Sequence, residues 1–135
     1  MTKKEARNLI NKHFNNLSKK EKKILDSRIL KNFLEFVDIS KCKKIGSYSS
    51  VFNEANTDHI NDLDLILVPF RAVNKNLYRL GYGGGFYDCS LSGINSNKCL
   101  GLGYDFQILD EFDIEPHDFK LGKLITPEGY FKNAL

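Results

Sequence analysis

The sequence predicts a three-layer α/β domain built on a small, mainly parallel sheet of about four strands. Three observations carry this. Two capping boxes, Thr2-Lys3-Lys4-Glu5 and Ser18-Lys19-Lys20-Glu21, each open a helical repeat of apolar residues. The run from Leu63 to Phe70 is almost continuously apolar, as expected of a strand covered on both faces. Strands and short helical segments then alternate to the end of the chain, the pattern of layered α/β folds.

The elements follow in order. After Thr2, the residues Ala6, Ile10, Phe14 and Leu17 recur at helical spacing; after Ser18, Leu25, Ile29, Phe33 and Val37 do the same. The break between the two helices falls at residues 15–18. Residues 43–49 alternate weakly and read as a first strand, and 63–70 as the second. The polar stretch between them leaves about a dozen residues, the minimum for a parallel crossover. Either that connection is tight or the two strands are not parallel neighbours. Residues 98–104 read as a third strand and 123–126 as a fourth, stopped by Pro127, with a helical turn over 107–112. No repeat, low-complexity tract or linker divides the chain, so residues 1–135 are expected to form one domain.

Composition narrows the class. With 41% hydrophobic and 27% charged residues, the chain resembles soluble globular proteins. No apolar run is long enough to span a bilayer, and the Lys-rich N-terminus lacks the apolar segment of a secretion signal, so a cytoplasmic setting is expected. Cys42, Cys89 and Cys99 show no Cys-x-x-Cys spacing, which favours reduced thiols over a disulfide frame. The net charge of +3 hides an asymmetry: residues 1–44 carry 13 Lys/Arg and 5 Asp/Glu, and the remainder is acidic. A basic N-terminal part attracts nucleotides and other polyanions, although most of its lysines read as a solvated helix face. No RNA-binding signature accompanies the charge, so nucleic acid is disfavoured. His13 reads as a half-buried spacer, and His13, His59 and His117 are too scattered for a zinc site.

The most informative stretch is Arg79-Leu80-Gly81-Tyr82-Gly83-Gly84-Gly85-Phe86-Tyr87-Asp88, with four glycines in five positions. It follows the apolar strand and leads into residues 86–91, which read as a short helix. A strand, a glycine loop and a helix start present backbone N–H groups and the positive end of a dipole, a setting suited to phosphate. Arg79 would add a charge-assisted grip as a loop surface charge, and Asp88 can hold the Mg²⁺ that accompanies a nucleoside triphosphate. The segment is not a P-loop, since no Gly-Lys-Ser/Thr closes it, and Phe86 stands where the dinucleotide fingerprint has its third glycine. The plain alternative is a mobile surface loop leading into a helix.

Taken together, these residues resemble the 5-formyltetrahydrofolate cyclo-ligase (methenyltetrahydrofolate synthetase) family. Lys3-Lys4-Glu5-Ala6-Arg7 is similar to the family's Lys-x-x-x-Arg on the first helix. Ile45 to Glu54 resembles its folate-contacting strand and loop. Asp64 to Phe70 resembles the strand before the phosphate loop, and the loop itself is close to Arg-Leu-Gly-x-Gly-x-Gly-Tyr-Tyr-Asp, with Phe86 in place of the first tyrosine. Leu100 to Tyr104 with Gln107, Glu115 to Asp118 and Leu124 to Glu128 follow in family order. The family's middle segment, between the Glu54 loop and the Leu63 strand, is almost absent here, and Arg71 stands where the family is usually apolar.

The resemblance implies a ligase of one-carbon metabolism that uses ATP and Mg²⁺ to cyclise 5-formyltetrahydrofolate to 5,10-methenyltetrahydrofolate. It implies ATP contacts from Lys3, Arg7, Arg79, Leu80, Gly81, Tyr82, Gly83, Gly84, Gly85, Phe86 and Tyr87, with Arg79 and Tyr87 catalytic. Folate contacts are implied for Ser49, Glu54, Tyr82, Gly83, Gly84, Gly85 and Phe86, and Mg²⁺ ligation for Asp88 and Asp118. Lys3 and Arg7, four apart, share a helix face and are expected to approach the Gly81–Gly85 loop, with both helices packed on the sheet. The missing middle segment motivates an alternative, a shortened and catalytically weak or inactive nucleotide-binding relative or interaction module. A short sheet with an uncovered flank also admits a homodimer.

Overall fold

A computed structural model describes residues 1–47, 64–81, 95–116 and 118–132. Helix α1 spans Lys3–Asn15 and α2 spans Lys19–Phe36. Both begin where the caps predict. The Thr2 hydroxyl accepts from Glu5 N while the Glu5 carboxylate accepts from Thr2 N, so two orphan N–H groups of the first turn are satisfied reciprocally. The Ser18 hydroxyl accepts from Glu21 N in the same way. The break at residues 15–18 is where sequence placed it.

The strands are β1 (Ile45–Ser47), β2 (Leu65–Leu67), β3 (Ala72–Val73), β4 (Arg79–Leu80), β5 (Cys99–Leu102), β6 (Lys123–Thr126) and β7 (Gly129–Lys132). The main sheet has the order β1-β2-β5-β6-β7. Its first four strands are parallel, with Ile45 opposite Leu65, Ile66 opposite Cys99 and Leu100 opposite Lys123. β1 and β2 are therefore parallel neighbours in spite of the short connection, whose residues 48–63 lie outside those described. Asp64 reinforces the pairing, since its carboxylate accepts from Lys43 N and Lys44 N.

Two features were not expected. β7 adds a fifth, antiparallel strand through a turn at Pro127–Glu128, with Thr126 opposite Gly129. Pro127 ends β6, as predicted, and the chain reverses there instead of leaving the sheet. β3 and β4 form a separate two-stranded hairpin, Ala72 opposite Leu80. The Asn74 side chain holds its turn by accepting from Asn76 N and Tyr78 N, and buried Leu77 adopts φ 65° to close it. The turn expected over 107–112 is instead a 3-10 turn at Asp105–Gln107.

Side-chain alternation explains why β2 reads as continuously apolar: like β5 and β6, it buries both faces. Ile66, Val68, Cys99 and Leu124 point to one face and pack with Phe70, Val73, Leu77 and Leu121. Leu65, Leu100 and Ile125 point to the other, where Ile29, Phe33 and Val37 from α2 and the chain just after it cover them. The prediction that both helices pack on the sheet is corrected for α1. Its Ala6 and Ile10 bury against Ala72, Leu80 and Phe112, so α1 lies on the hairpin and the segment that follows β5. Among the described residues, no helix is long and apolar enough to cross a membrane.

Candidate functional site

Parallel strands of an α/β sheet leave a crevice at their C-terminal ends, where ligands usually bind. Here the ends of β2 and β5, residues 67–70 and 102–104, form the floor of a cavity of about 830 Å³. Ile29, Leu30 and Phe33 from α2 make one wall and Phe14 from α1 contributes to another. The lining is mainly apolar, with Lys22, Asp26, Tyr104 and Gln107 as its polar members. A volume of this size suits a small organic molecule.

The polar members are organised. Tyr104 is buried, and its hydroxyl donates to Asp26 Oδ1; Lys22 Nζ lies 2.7 Å from Asp26 Oδ2, one helical turn away. Burial and the Asp26 hydrogen bond push the Tyr104 phenol up. Desolvation acts to raise the Asp26 carboxyl, but the bonds from Lys22 and Tyr104 outweigh it and hold the group down. Gln107 is buried and bridges the two strand ends, donating to Phe70 O and Arg71 O and accepting from Tyr104 N. Arg71 donates to Asn11 Oδ1 and sits 4.6 Å from the Phe14 ring centroid, so it ties α1 to the strand end. Sequence reading missed Lys22, Asp26 and the cavity. The only local signal was the i, i+4 spacing of Lys22 and Asp26, which exposed helix faces share.

The second part of the site is the root of the glycine loop. Arg7 Nε donates to Gly81 O at 3.0 Å, so α1 reaches the loop as expected. Lys3, one turn earlier on the same face, places Nζ 2.8 Å from Asp118 Oδ2 and 3.3 Å from Glu115 Oε1. Desolvation lowers the Lys3 pKa, but the two carboxylates outweigh it and raise the group above its ordinary value.

Arg79 needs correction. It was expected as a loop surface charge, yet the residue is only 2% exposed. It sits in β4, its N–H pairs with Phe119 O, and its Nε donates to Pro69 O. Its guanidinium lies over Gly81, where an added Cβ would meet Nη1 and Nη2 at 2.9 Å. Leu80 is buried against α1 and is likewise a packing residue. The structure thus brings together Lys3, Arg7, Arg79, Leu80, Gly81 and Asp118. Ser49, Glu54, Tyr82, Gly83, Gly84, Gly85, Phe86, Tyr87, Asp88, Cys89, His59 and His117 lie outside the described residues. His13 is exposed, not half-buried, and stacks on Phe106.

The described residues by themselves assemble no metal site, and Asp88, which the resemblance pairs with Asp118, lies outside them. Asp118 is engaged by the Lys3 ammonium and also accepts from Glu115 N at 2.8 Å. No group of three His, Cys, Asp or Glu among the described residues comes together to hold an ion. Neither described cysteine is in a disulfide: Cys42 is half-buried, and burial pushes the Cys99 thiol up to about 12.

Curated 5-formyltetrahydrofolate cyclo-ligases are similar to this chain. That of Mycoplasma genitalium is 36% identical over 105 residues, covering 71% of this chain and 62% of the relative. That of Escherichia coli is 34% identical over 70 residues, covering 50% of this chain and 38% of the relative. The chain thus spans less than two thirds of the length of these relatives. Among solved structures, a 5,10-methenyltetrahydrofolate synthetase from Mycoplasma pneumoniae superposes with a TM-score of 0.79 at 24% identity, covering 94% of this chain and 99% of that one. Its counterpart from Aquifex aeolicus gives 0.78 at 20%, covering 100% and 94%. At those identities the likeness speaks for the fold, and it includes the N-terminal helices. The model of the 5-formyltetrahydrofolate cyclo-ligase family matches residues 53–127, more than half of the chain and including the glycine loop, and the chain belongs to that family.

Proposed function

We propose that the protein catalyses the ATP- and Mg²⁺-dependent cyclisation of 5-formyltetrahydrofolate to 5,10-methenyltetrahydrofolate, with release of ADP and phosphate. The observation that carries this reading is the hydrogen bond from Arg7 to Gly81, which brings the cationic edge of α1 to the root of the glycine loop. Lys3, Arg7 and Phe14 lie along one stripe of α1. From the 1.5 Å rise per residue, Phe14 in the cavity wall is roughly 10 Å along the axis from Arg7. One helix therefore runs from a phosphate-binding end to an apolar cavity, a spacing that suits a nucleotide and a pterin meeting end to end.

The chemistry follows from the weakness of a formamide oxygen as a leaving group. In this reading the formyl oxygen attacks the γ-phosphorus of ATP, and the bond to ADP breaks. The folate N10 then adds to the activated formyl carbon and loses its proton, and the carbon–oxygen bond breaks to expel phosphate. The protein's task is positioning and charge neutralisation. Lys3 and Arg7 supply positive charge, and the backbone N–H groups of residues 81–85 cradle the phosphates. Arg79, turned inward, holds the loop root; in this reading ATP contacts fall to Tyr82, Phe86 and Tyr87, and folate contacts to Ser49 and Glu54. Mg²⁺, when bound with the nucleotide, would offset phosphate charge, and Asp88 would be the residue to hold it.

A second reading, a nucleotide-binding relative without turnover or an interaction module, is favoured by the short 48–63 connection in place of the family's middle segment. The absorbance of methenyltetrahydrofolate separates the two. Product that requires protein, ATP, Mg²⁺ and 5-formyltetrahydrofolate together supports the ligase. Calorimetric binding of ATP without binding of 5-formyltetrahydrofolate, and no product, supports the second reading.

A further inference from the structure

We propose that Asp118 is a positioning residue for Lys3 and not a metal ligand: its carboxylate holds the ammonium where the nucleotide phosphates arrive. The proposal rests on the ATP site of the preceding reading and departs from the Mg²⁺ role that the family resemblance suggests for this residue.

The geometry around Asp118 is that of an ion-pair anchor. Its side chain is 3% exposed, against 57% for neighbouring Glu115. Both carboxylate oxygens face the same ammonium, with Lys3 Nζ 2.9 Å from Oδ1 and 2.8 Å from Oδ2. Oδ2 also accepts from Glu115 N at 2.8 Å, and Asp118 N donates to Glu115 O at 3.0 Å, so the carboxylate shapes the turn that presents it. Asp113 N donates to Met1 O at 2.9 Å, a backbone tie between the same segment and the start of α1.

The placement of Lys3 explains why an anchor is needed. Lys3 is the first residue of α1, where the helix dipole presents its positive end and disfavours a cation. A lysine there, with 20% of its side chain exposed, calls for a counter-charge. Asp118 supplies it from 115 positions away, and Arg7 pins the next turn to Gly81. The cationic edge of α1 is thus clamped at two points, by Asp118 and by Gly81. An ammonium has three donors. Three carboxylate oxygens surround it here, Asp118 Oδ1 and Oδ2 and Glu115 Oε1. Glu115, exposed and at 3.3 Å, is the weaker partner that a phosphate would displace. A metal ion on Asp118 would have to compete with Lys3 for the oxygens it chelates.

Calorimetric titration of the full chain with ATP in EDTA, and again with Mg²⁺, tests this. Asp118→Asn is expected to weaken both titrations by the same factor, about tenfold, the scale of a lost charge-assisted contact. Asp118→Asn added to Lys3→Met should cost nothing more, because the carboxylate acts through the lysine. Asp118→Glu should recover part of the loss. The proposal is overturned if metal-free ATP binds Asp118→Asn as well as wild type while the Mg²⁺ titration alone suffers. It is also overturned if the two single losses add in the double variant. Lysine side-chain NMR of the unaltered protein gives a reading that does not depend on the variants folding. Addition of Mg²⁺ alone should leave the Lys3 ammonium signal in place, and its release by Mg²⁺ would overturn the proposal. A wild type that binds no ATP under either condition overturns the nucleotide reading itself, and the positioning role with it.

Discussion

Arg7 Nε donates to Gly81 O at 3.0 Å, joining residues 74 positions apart and fastening the first helix to the root of the glycine loop. The bond is partly buried and its donor is charged, so it belongs to the stronger class of hydrogen bonds. Arg7→Ala should lower stability by about 1.5–3 kcal/mol and weaken ATP binding. Lys4→Ala, on the exposed side of the same turn, should stay within about 0.5 kcal/mol. Urea unfolding and calorimetry read both. Variants that behave alike would remove Arg7 from the site.

Arg79 lies buried against Gly81, so its removal is expected to be a folding lesion first. Arg79→Ala leaves Pro69 O without this donor and opens a void in the core, at a cost of about 2–4 kcal/mol. Gly81→Ala drives a Cβ against the same guanidinium. In an Arg79→Met background that clash disappears, so the two substitutions should be less than additive in denaturant unfolding. Full additivity would mean that the guanidinium does not rest on Gly81.

Two other glycines separate crowding from backbone conformation. A Cβ on Gly122 would sit 2.3 Å from Ser96 O and 2.8 Å from Asn97 Cα, both backbone atoms that cannot swing aside. Gly122→Ala should cost about 3 kcal/mol or more. Gly129 has nothing within 4 Å of its Cβ position, but its φ is +146°. Gly129→Ala should therefore cost about 1–3 kcal/mol, from strain alone. Thermal unfolding that ranks Gly129→Ala as the worse of the two would contradict this account.

The cavity wall offers a substitution that spares the fold. Leu30 is 58% exposed yet lines the cavity, so Leu30→Trp should fold normally while narrowing the space. Binding of 5-formyltetrahydrofolate should weaken severalfold, and ATP binding should not change. Unaltered folate affinity would show that the pterin does not occupy this cavity.

Cysteine chemistry should divide by burial and pH. The Cys99 thiol is raised from 9.0 to about 12 by desolvation, so the folded state favours the neutral form. Its contribution to stability is complete below pH 9 and declines as the pH climbs from there toward 12. Under native conditions at pH 8, Cys42 should be alkylated well before Cys99, as peptide mapping by mass spectrometry would show. Equal rates at both would mean that the core around Cys99 opens readily.

The sequence by itself determined the elements whose signals are local. A capping box acts over three residues and an apolar stripe over three or four, so both helices were legible, as were the strands buried on two faces. The order of short motifs around the glycine loop determined the family. The tertiary structure alone decided what depends on segments meeting. β7 is short and half exposed, and only its pairing with β6 makes it a strand. The hairpin strands are two residues each, below any readable period. Arg79 looked like a surface cation because charge is usually solvated, and only the stacking of Pro69, Gly81 and Phe119 around it places it in the core. The pairing of Lys3 with Asp118 has no sequence signature for the same reason. A lone charge carries no periodicity, and its partner is chosen by how α1 docks on the layer below.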